Sequence, residues 1–189
     1  KAYDVPAVQE EKEIQIVRGI EISASISGRE VHLLGYGFDD QNDEIRSYCM
    51  ESEEMRLRRG KKMAEKCREL GYMISPDELP EGTNIGRPHV ARLLVREGYF
   101  RTVMEAFSVL LHPGGPAYIP KREFPFHDMI GMIHQAGGRA VLAHPLLLRD
   151  DGLVDSLMEM GIDGVEVWHP VRRPDRRGRS SRLSAGARC

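Results

Sequence analysis

Residues 19–37 read GIEISASISGREVHLLGYG, and the fold turns on how this stretch is paired. Ser27-Gly28 is a turn signal between two apolar-rich segments. The expectation is therefore a hairpin with strands over 14–23 and 29–37. Alternation puts Ile20 and Ile22 on one face and Gly19, Glu21 and Ser23 on the other. On the return strand Val31 and Leu33 share a face, with His32 and Leu34 opposite. Further along, RAVLAH (139–144) reads as a short buried strand, LLLRDDGLVDSLMEMG as a helix and DGVEVW (163–168) as another strand. Strand, helix, strand at this spacing is a βαβ unit, so its two strands should run parallel.

Between these strand regions the pattern is helical. Residues 44–70 place Ile45, Tyr48, Cys49, Ser52, Met63, Cys67 and Leu70 on one stripe, with Gly71 as the stop. Arg56 and Arg59 fall inside that stripe, as snorkelling side chains or as the border of an anionic cleft. One or two short helices follow around RPHVARLLVREGY and VMEAFSVLL, divided by Gly98. HPGGPAYIPK (112–121) is a loop, and 125–136 is a further helix ended by Gly137-Gly138.

Composition narrows the class. The chain has 189 residues, 41% of them apolar, and a net charge of −2. No run of apolar residues is long enough for a membrane span. The first residues carry no apolar stretch of the signal-peptide kind. Three cysteines at 49, 67 and 189, without CxxC spacing, favour neither a disulfide framework nor a cysteine zinc site. A cytoplasmic setting is the expectation. Seven arginines against one acid give residues 172–189 a net charge of +6; the rest of the chain stands at −8. That tail reads as disordered or aberrant, because it has almost nothing apolar to bury. An RNA-binding arm is the weaker reading, since the tail lacks aromatic stacking positions. No P-loop, GxGxxG or GxSxG motif occurs.

Glu21, His32 and His144 are polar residues in, or at the ends of, apolar strands. An ionised glutamate there is costly unless it is paired, hydrogen-bonded or on a metal. Carboxylate and imidazole at neighbouring strand ends make a metal-ligand set suited to Zn, Mn or Fe. A second group is basic: Arg87, His89 and Lys121, with Arg56 and Arg59, suits a phosphate. Glu166 repeats the apolar-Glu-apolar pattern of Glu21, and His169 precedes Pro170 as His144 precedes Pro145. Trp168 reads as core or rim packing, and Cys49 and Cys67 as buried.

Four strings in order, GIEISASISGREVHLLGYGFD (19–39), IGRPHVARLLVREGY (85–99), PAYIPKREF (116–124) and AGGRAVLAHPLLL (136–148) with GIDGVEVWHP (161–170), resemble the PHP (polymerase and histidinol phosphatase) family. The likeness is closest to its bacterial metal-dependent phosphoesterases, which include 3′,5′-nucleoside bisphosphate phosphatases that also act on short RNA ends. The resemblance implies an α/β fold: a distorted (β/α)7 barrel, present in part at 1–43 and 136–171, with a mostly helical insertion at 44–135. It implies that Glu21 bridges two metals, that His32 and His144 are further ligands, and that Arg87, His89 and Lys121 contact the substrate phosphate. Arg56 and Arg59 join them as substrate-binding candidates. The family's opening His-x-His and Thr-Asp-His-Asp strands and its closing Asp-x-His have no counterpart here. The expectation is therefore a fragment with fewer metals than the two or three of the intact family and weak or no catalysis. The substrate would be a small phosphorylated molecule such as a nucleotide or short RNA, with no membrane and no stable nucleic-acid partner. The rival expectation is a non-catalytic PHP-like structural or binding module.

Overall fold

A computed structural model describes residues 16–80 and 85–169, with the backbone of 173–174 and 180–181. Most of the arginine-rich tail lies outside the described residues. Within it, β5 (Arg173–Pro174) and β6 (Ser180–Ser181) pair antiparallel. The chain divides into two compact units, one formed by Lys1–Ile45 with Glu123–Cys189 and the other by Arg46–Arg122.

The first unit is built on a four-stranded mixed sheet in the order β1 (Gly19–Ile26), β2 (Arg29–Tyr36), β3 (Arg139–Leu142), β4 (Gly164–Val165). β1 and β2 form the expected antiparallel hairpin; among the described residues its first strand starts at Gly19 and runs on to Ile26, and residues 14–15 of the expected strand lie outside them. β3 joins β2 antiparallel, and β4 runs parallel to β3, as the βαβ reading requires. A seven-stranded barrel is not seen among the described residues, and four strands are too few to close one.

Register aligns Ile22 with Leu33 and Leu33 with Leu142, a row that is fully buried. Helix α4 (Phe126–Gln135) covers this face. Its Phe126, Met129, Ile130 and Ile133 recur at helical spacing and are all buried. Gly35 lets the helix approach: a Cβ there would sit 3.1 Å from the Ile133 side chain. That packing places α4 in the sheet's unit, whereas the sequence reading grouped 125–135 with the insertion. Asp163 ties the three elements together. Its carboxylate accepts from the Ala140 amide (2.8 Å), His134 Nε2 (2.8 Å) and Arg139 (2.7 Å). These bonds, the Ala140 amide foremost, hold its carboxyl down to about 2.

The second unit is helical. α1 spans Asp43–Glu69, α2 Arg87–Arg96 and α3 Val103–Ala106, the last continuing into one wide π turn at Phe107–Leu111. α1, α2 and, in the first unit, α4 end alike. Gly71, Gly98 and Gly137 take positive φ, and paired backbone bonds such as Gly71 N to Arg68 O and Tyr72 N to Cys67 O close each end. Met63, Cys67, Ile85, Val90, Leu94 and Leu111 form its core. Cys67 is buried, and burial pushes its thiol up to about 11. Cys49 is exposed, contrary to expectation, as is Leu70 at 48%. Cys49 and Cys67 lie about five turns apart on the same helix face, but only Cys67 is packed in the second unit's core. No helix among the described residues is long and apolar enough to cross a membrane.

Two predictions follow from packing. Asp163→Ala should cost about 2 kcal/mol at neutral pH in urea unfolding. Because the folded carboxyl lies below the ordinary 3.8, that stabilisation is complete above pH 3.8 and is lost as pH falls toward about 2. The gap between wild type and variant should close over that window. Gly60→Ala on α1 gains roughly 1 kcal/mol of helix propensity. The new Cβ, however, would meet Ile85 Cγ2 at 2.5 Å and Leu79 at 3.3 Å. Overpacking of about 1–3 kcal/mol should make the net change destabilising in the same assay.

Candidate metal centre

The hairpin register creates this site. Glu21 pairs with Leu34 and Ser23 with His32, so Glu21 and His32 share the sheet face opposite the Ile22–Leu33–Leu142 row. Beyond the end of β3, the Ala143 amide still donates to His32 O (2.9 Å), which keeps the chain beside β2 as it reaches His144. His32 Nδ1 lies 2.9 Å from both Glu21 Oε1 and His144 Nε2, and His144 Nε2 lies 3.7 Å from Glu21 Oε1. One donor atom from each residue falls within 4.8 Å of the others. Atoms bound to one cation at about 2.0–2.2 Å would be roughly 2.8–3.6 Å apart.

The protons on this cluster are constrained. His32 Nε2 is 3.0 Å from Glu30 Oε1 and Nδ1 is 2.9 Å from Glu21 Oε1, so each nitrogen has a carboxylate to receive its proton; in the tautomer with the proton on Nε2, Glu30 accepts it. That leaves the Nδ1 lone pair toward Glu21 and His144. A carboxylate oxygen and a ring lone pair at 2.9 Å repel unless a proton or a cation lies between them. The donor set, one carboxylate and two imidazoles, therefore fits a divalent ion. Glu30 was missed in the sequence, although its position two residues before His32 puts it on the same strand face.

His144 is held differently. Its backbone is left-handed (φ 32°, ψ 55°) and precedes Pro145, which costs roughly 1–3 kcal/mol and is further disfavoured before proline. The His144 amide donates to Glu166 Oε2 (2.7 Å). Its ring Nδ1 is buried and has no hydrogen-bond partner among the described residues. His169 packs its ring 5.2 Å from that of His144, and its Nδ1 is 3.5 Å from Glu166 Oε1. Arg29, from the hairpin turn, donates to Leu148 O (2.9 Å) and pairs with Asp150, the cap of α5 (Asp151–Met158). The Leu153 amide, then Arg29, holds the Asp150 carboxyl below its ordinary range. Trp168, expected to pack, is 72% exposed, because β4 ends at Val165 and no described element covers the residues after it.

The basic candidates lie in the second unit. Arg87 donates to Leu111 O (3.2 Å), and its guanidinium carbon is 5.1 Å from the Phe107 ring centre and 5.8 Å from that of Tyr118. Arg59 donates to Ile119 O (2.7 Å) and lies 5.7 Å from the same tyrosine ring. Tyr118 thus gathers two of the expected arginines. His89 Nδ1 accepts from the Gly86 amide (3.2 Å), which puts the neutral ring's proton on Nε2. Arg56 is half-buried on α1, and Lys121 is exposed in the segment after Tyr118.

No family model matches the chain. It is 31% identical over 149 residues to the 5′-3′ exoribonuclease Rnm of Salmonella typhimurium, covering 75% of this chain and 51% of that protein. It is 32% identical over 138 residues to the 3′,5′-nucleoside bisphosphate phosphatase of Chromobacterium violaceum, covering 70% and 48%. A solved Bifidobacterium adolescentis protein, described as a metal-dependent phosphoesterase, superposes with a TM-score of 0.72 at 34% identity, covering 89% of this chain and 63% of that one. The chain is homologous to PHP-type metal-dependent phosphoesterases. It spans about half the length of these curated relatives. Among the described residues, Glu21, His32 and His144 form a cluster that could hold a metal ion. His144→Ala should weaken Co²⁺ binding at least tenfold, followed by visible absorption. Unchanged affinity would remove His144 from the ligand set.

Proposed function

We propose that this chain is part of a metal-dependent phosphoesterase that hydrolyses phosphate monoesters of nucleotides or short RNA ends. The observation that carries the proposal is the convergence of Glu21, His32 and His144 on one sheet face. The TM-score of 0.72 supports reading the sheet as an arc of a distorted (β/α)7 barrel. The donor set suits Mn, Zn or Fe, and the setting is cytoplasmic.

A divalent ion held there would supply a Lewis acid that activates water and screens phosphate charge. Glu21, with His32 and His144, would hold the ion as a ligand rather than carry a proton. Glu30 would accept the His32 proton on Nε2 in the tautomer that leaves Nδ1 as a donor atom. Arg87 and Lys121 neutralise the phosphoryl oxygens and hold them in register, with Arg56 and Arg59 adding positive charge. His89, with its proton on Nε2, donates to the phosphate or to the leaving oxygen.

Three ligands among the described residues are few for a pair of close metals. That count supports a second reading, a PHP-like module with a structural or binding role. It also leads to the expectation that the 189-residue chain alone turns over little substrate. A robust Mn²⁺-dependent rate from the purified chain would contradict this. In a full-length homologue with Mn²⁺, changing the residue equivalent to Glu21 to Gln should lower phosphatase turnover at least a hundredfold. Near-normal turnover and metal content would reject Glu21 as a ligand.

A further inference from the structure

Among the described residues, Nδ1 of the His144 ring is buried and has no hydrogen-bond partner to orient the ring. A metal-binding histidine usually has its orientation set by such a bond. The aim of Nε2 at His32 and Glu21 must then come from the backbone. That backbone is left-handed in a non-glycine residue followed by proline, a conformation that persists only when its surroundings enforce it. The His144 carbonyl accepts from the Leu147 amide (2.9 Å), which closes the short turn after it. On the amide side the anchor is a carboxylate: Glu166 Oε2, 2.7 Å from His144 N. Charge-assisted bonds of this length are strong and directional. Glu166 is itself well placed to act as an anchor. It directly follows β4, and its own amide donates to Leu142 O (2.8 Å), extending the β3–β4 ladder by one bond.

We propose that Glu166 is a positioning residue: its carboxylate clamps the His144 amide and so holds the left-handed turn that directs Nε2 toward Glu21 and His32. Glu166 need not touch the cation. Its role rests on the reading of Glu21, His32 and His144 as a cation site.

Two readouts on the intact chain test this, one of them metal-free. The first is amide hydrogen exchange at His144, followed by NMR in wild type, Glu166→Ala and Glu166→Gln. The second is Co²⁺ affinity by absorption. Glutamine keeps an oxygen acceptor without the charge, and it keeps the test available should the alanine variant fold poorly. Glu166→Ala should speed exchange at His144 about tenfold or more and weaken Co²⁺ binding by about ten- to a hundredfold. Glu166→Gln, which keeps a weaker neutral acceptor, should fall between wild type and Glu166→Ala in both. Wild-type exchange and affinity in Glu166→Ala would overturn the proposal. So would a glutamine variant as impaired as alanine, because retaining the acceptor would then have made no difference. If wild type itself binds no Co²⁺, the cation-site reading fails, and the exchange rates alone decide whether Glu166 holds the turn.

Discussion

The pairing of Ser23 with His32 across the β1–β2 hairpin is the constraint on which the rest of the first unit depends. Side chains alternate with a period of two, so a slip of one residue would send every side chain of a strand to the other face. The register is enforced from behind the site, by the fully buried row Ile22, Leu33 and Leu142 under α4. Burying three such side chains stabilises the unit by about 5–8 kcal/mol. No comparable force acts directly on Glu21, which keeps 54% of its side chain exposed. The apolar core on one face thus determines which polar groups meet on the other.

That division of labour explains the site's mixture of order and tension. His32 is held by regular strand geometry and by Glu30. His144 stands just past a strand end, where the regular ladder no longer dictates direction and a left-handed turn takes over. Strain concentrates at this residue rather than in the sheet. In the second unit the arginines are managed by a different device, with Tyr118 lying beneath both Arg59 and Arg87 while backbone carbonyls take their N–H groups. A guanidinium so held loses less freedom when it meets an anion.

Much of this was legible in the residues. The hairpin, the parallel β3–β4 pair and the glycine stops of α1, α2 and α4 follow from periodicity and turn chemistry, which are local. The ligand trio was legible because a charged or imidazole side chain in an apolar strand carries a burial cost that needs an explanation. Other features were not. The membership of α4 depends on its packing through Gly35, a long-range contact that no local pattern encodes. The exposure of Cys49, on the same α1 face as buried Cys67, depends on which residues pack over it, which periodicity does not encode. The left-handed backbone of His144 has no marker in VLAHP, where proline points toward extended geometry instead. Sequence could nominate Glu166 as bordering the site but could not say that it grips a backbone amide.

The central claim is that Glu21, His32 and His144 share one cation. Anomalous diffraction from crystals grown with Mn²⁺ or Zn²⁺ tests it most directly. The account predicts a peak at ordinary coordination distance, about 2.0–2.2 Å, from Glu21 Oε1, His32 Nδ1 and His144 Nε2. A well-occupied peak elsewhere on the chain, with these three atoms linked only by protons, would contradict it.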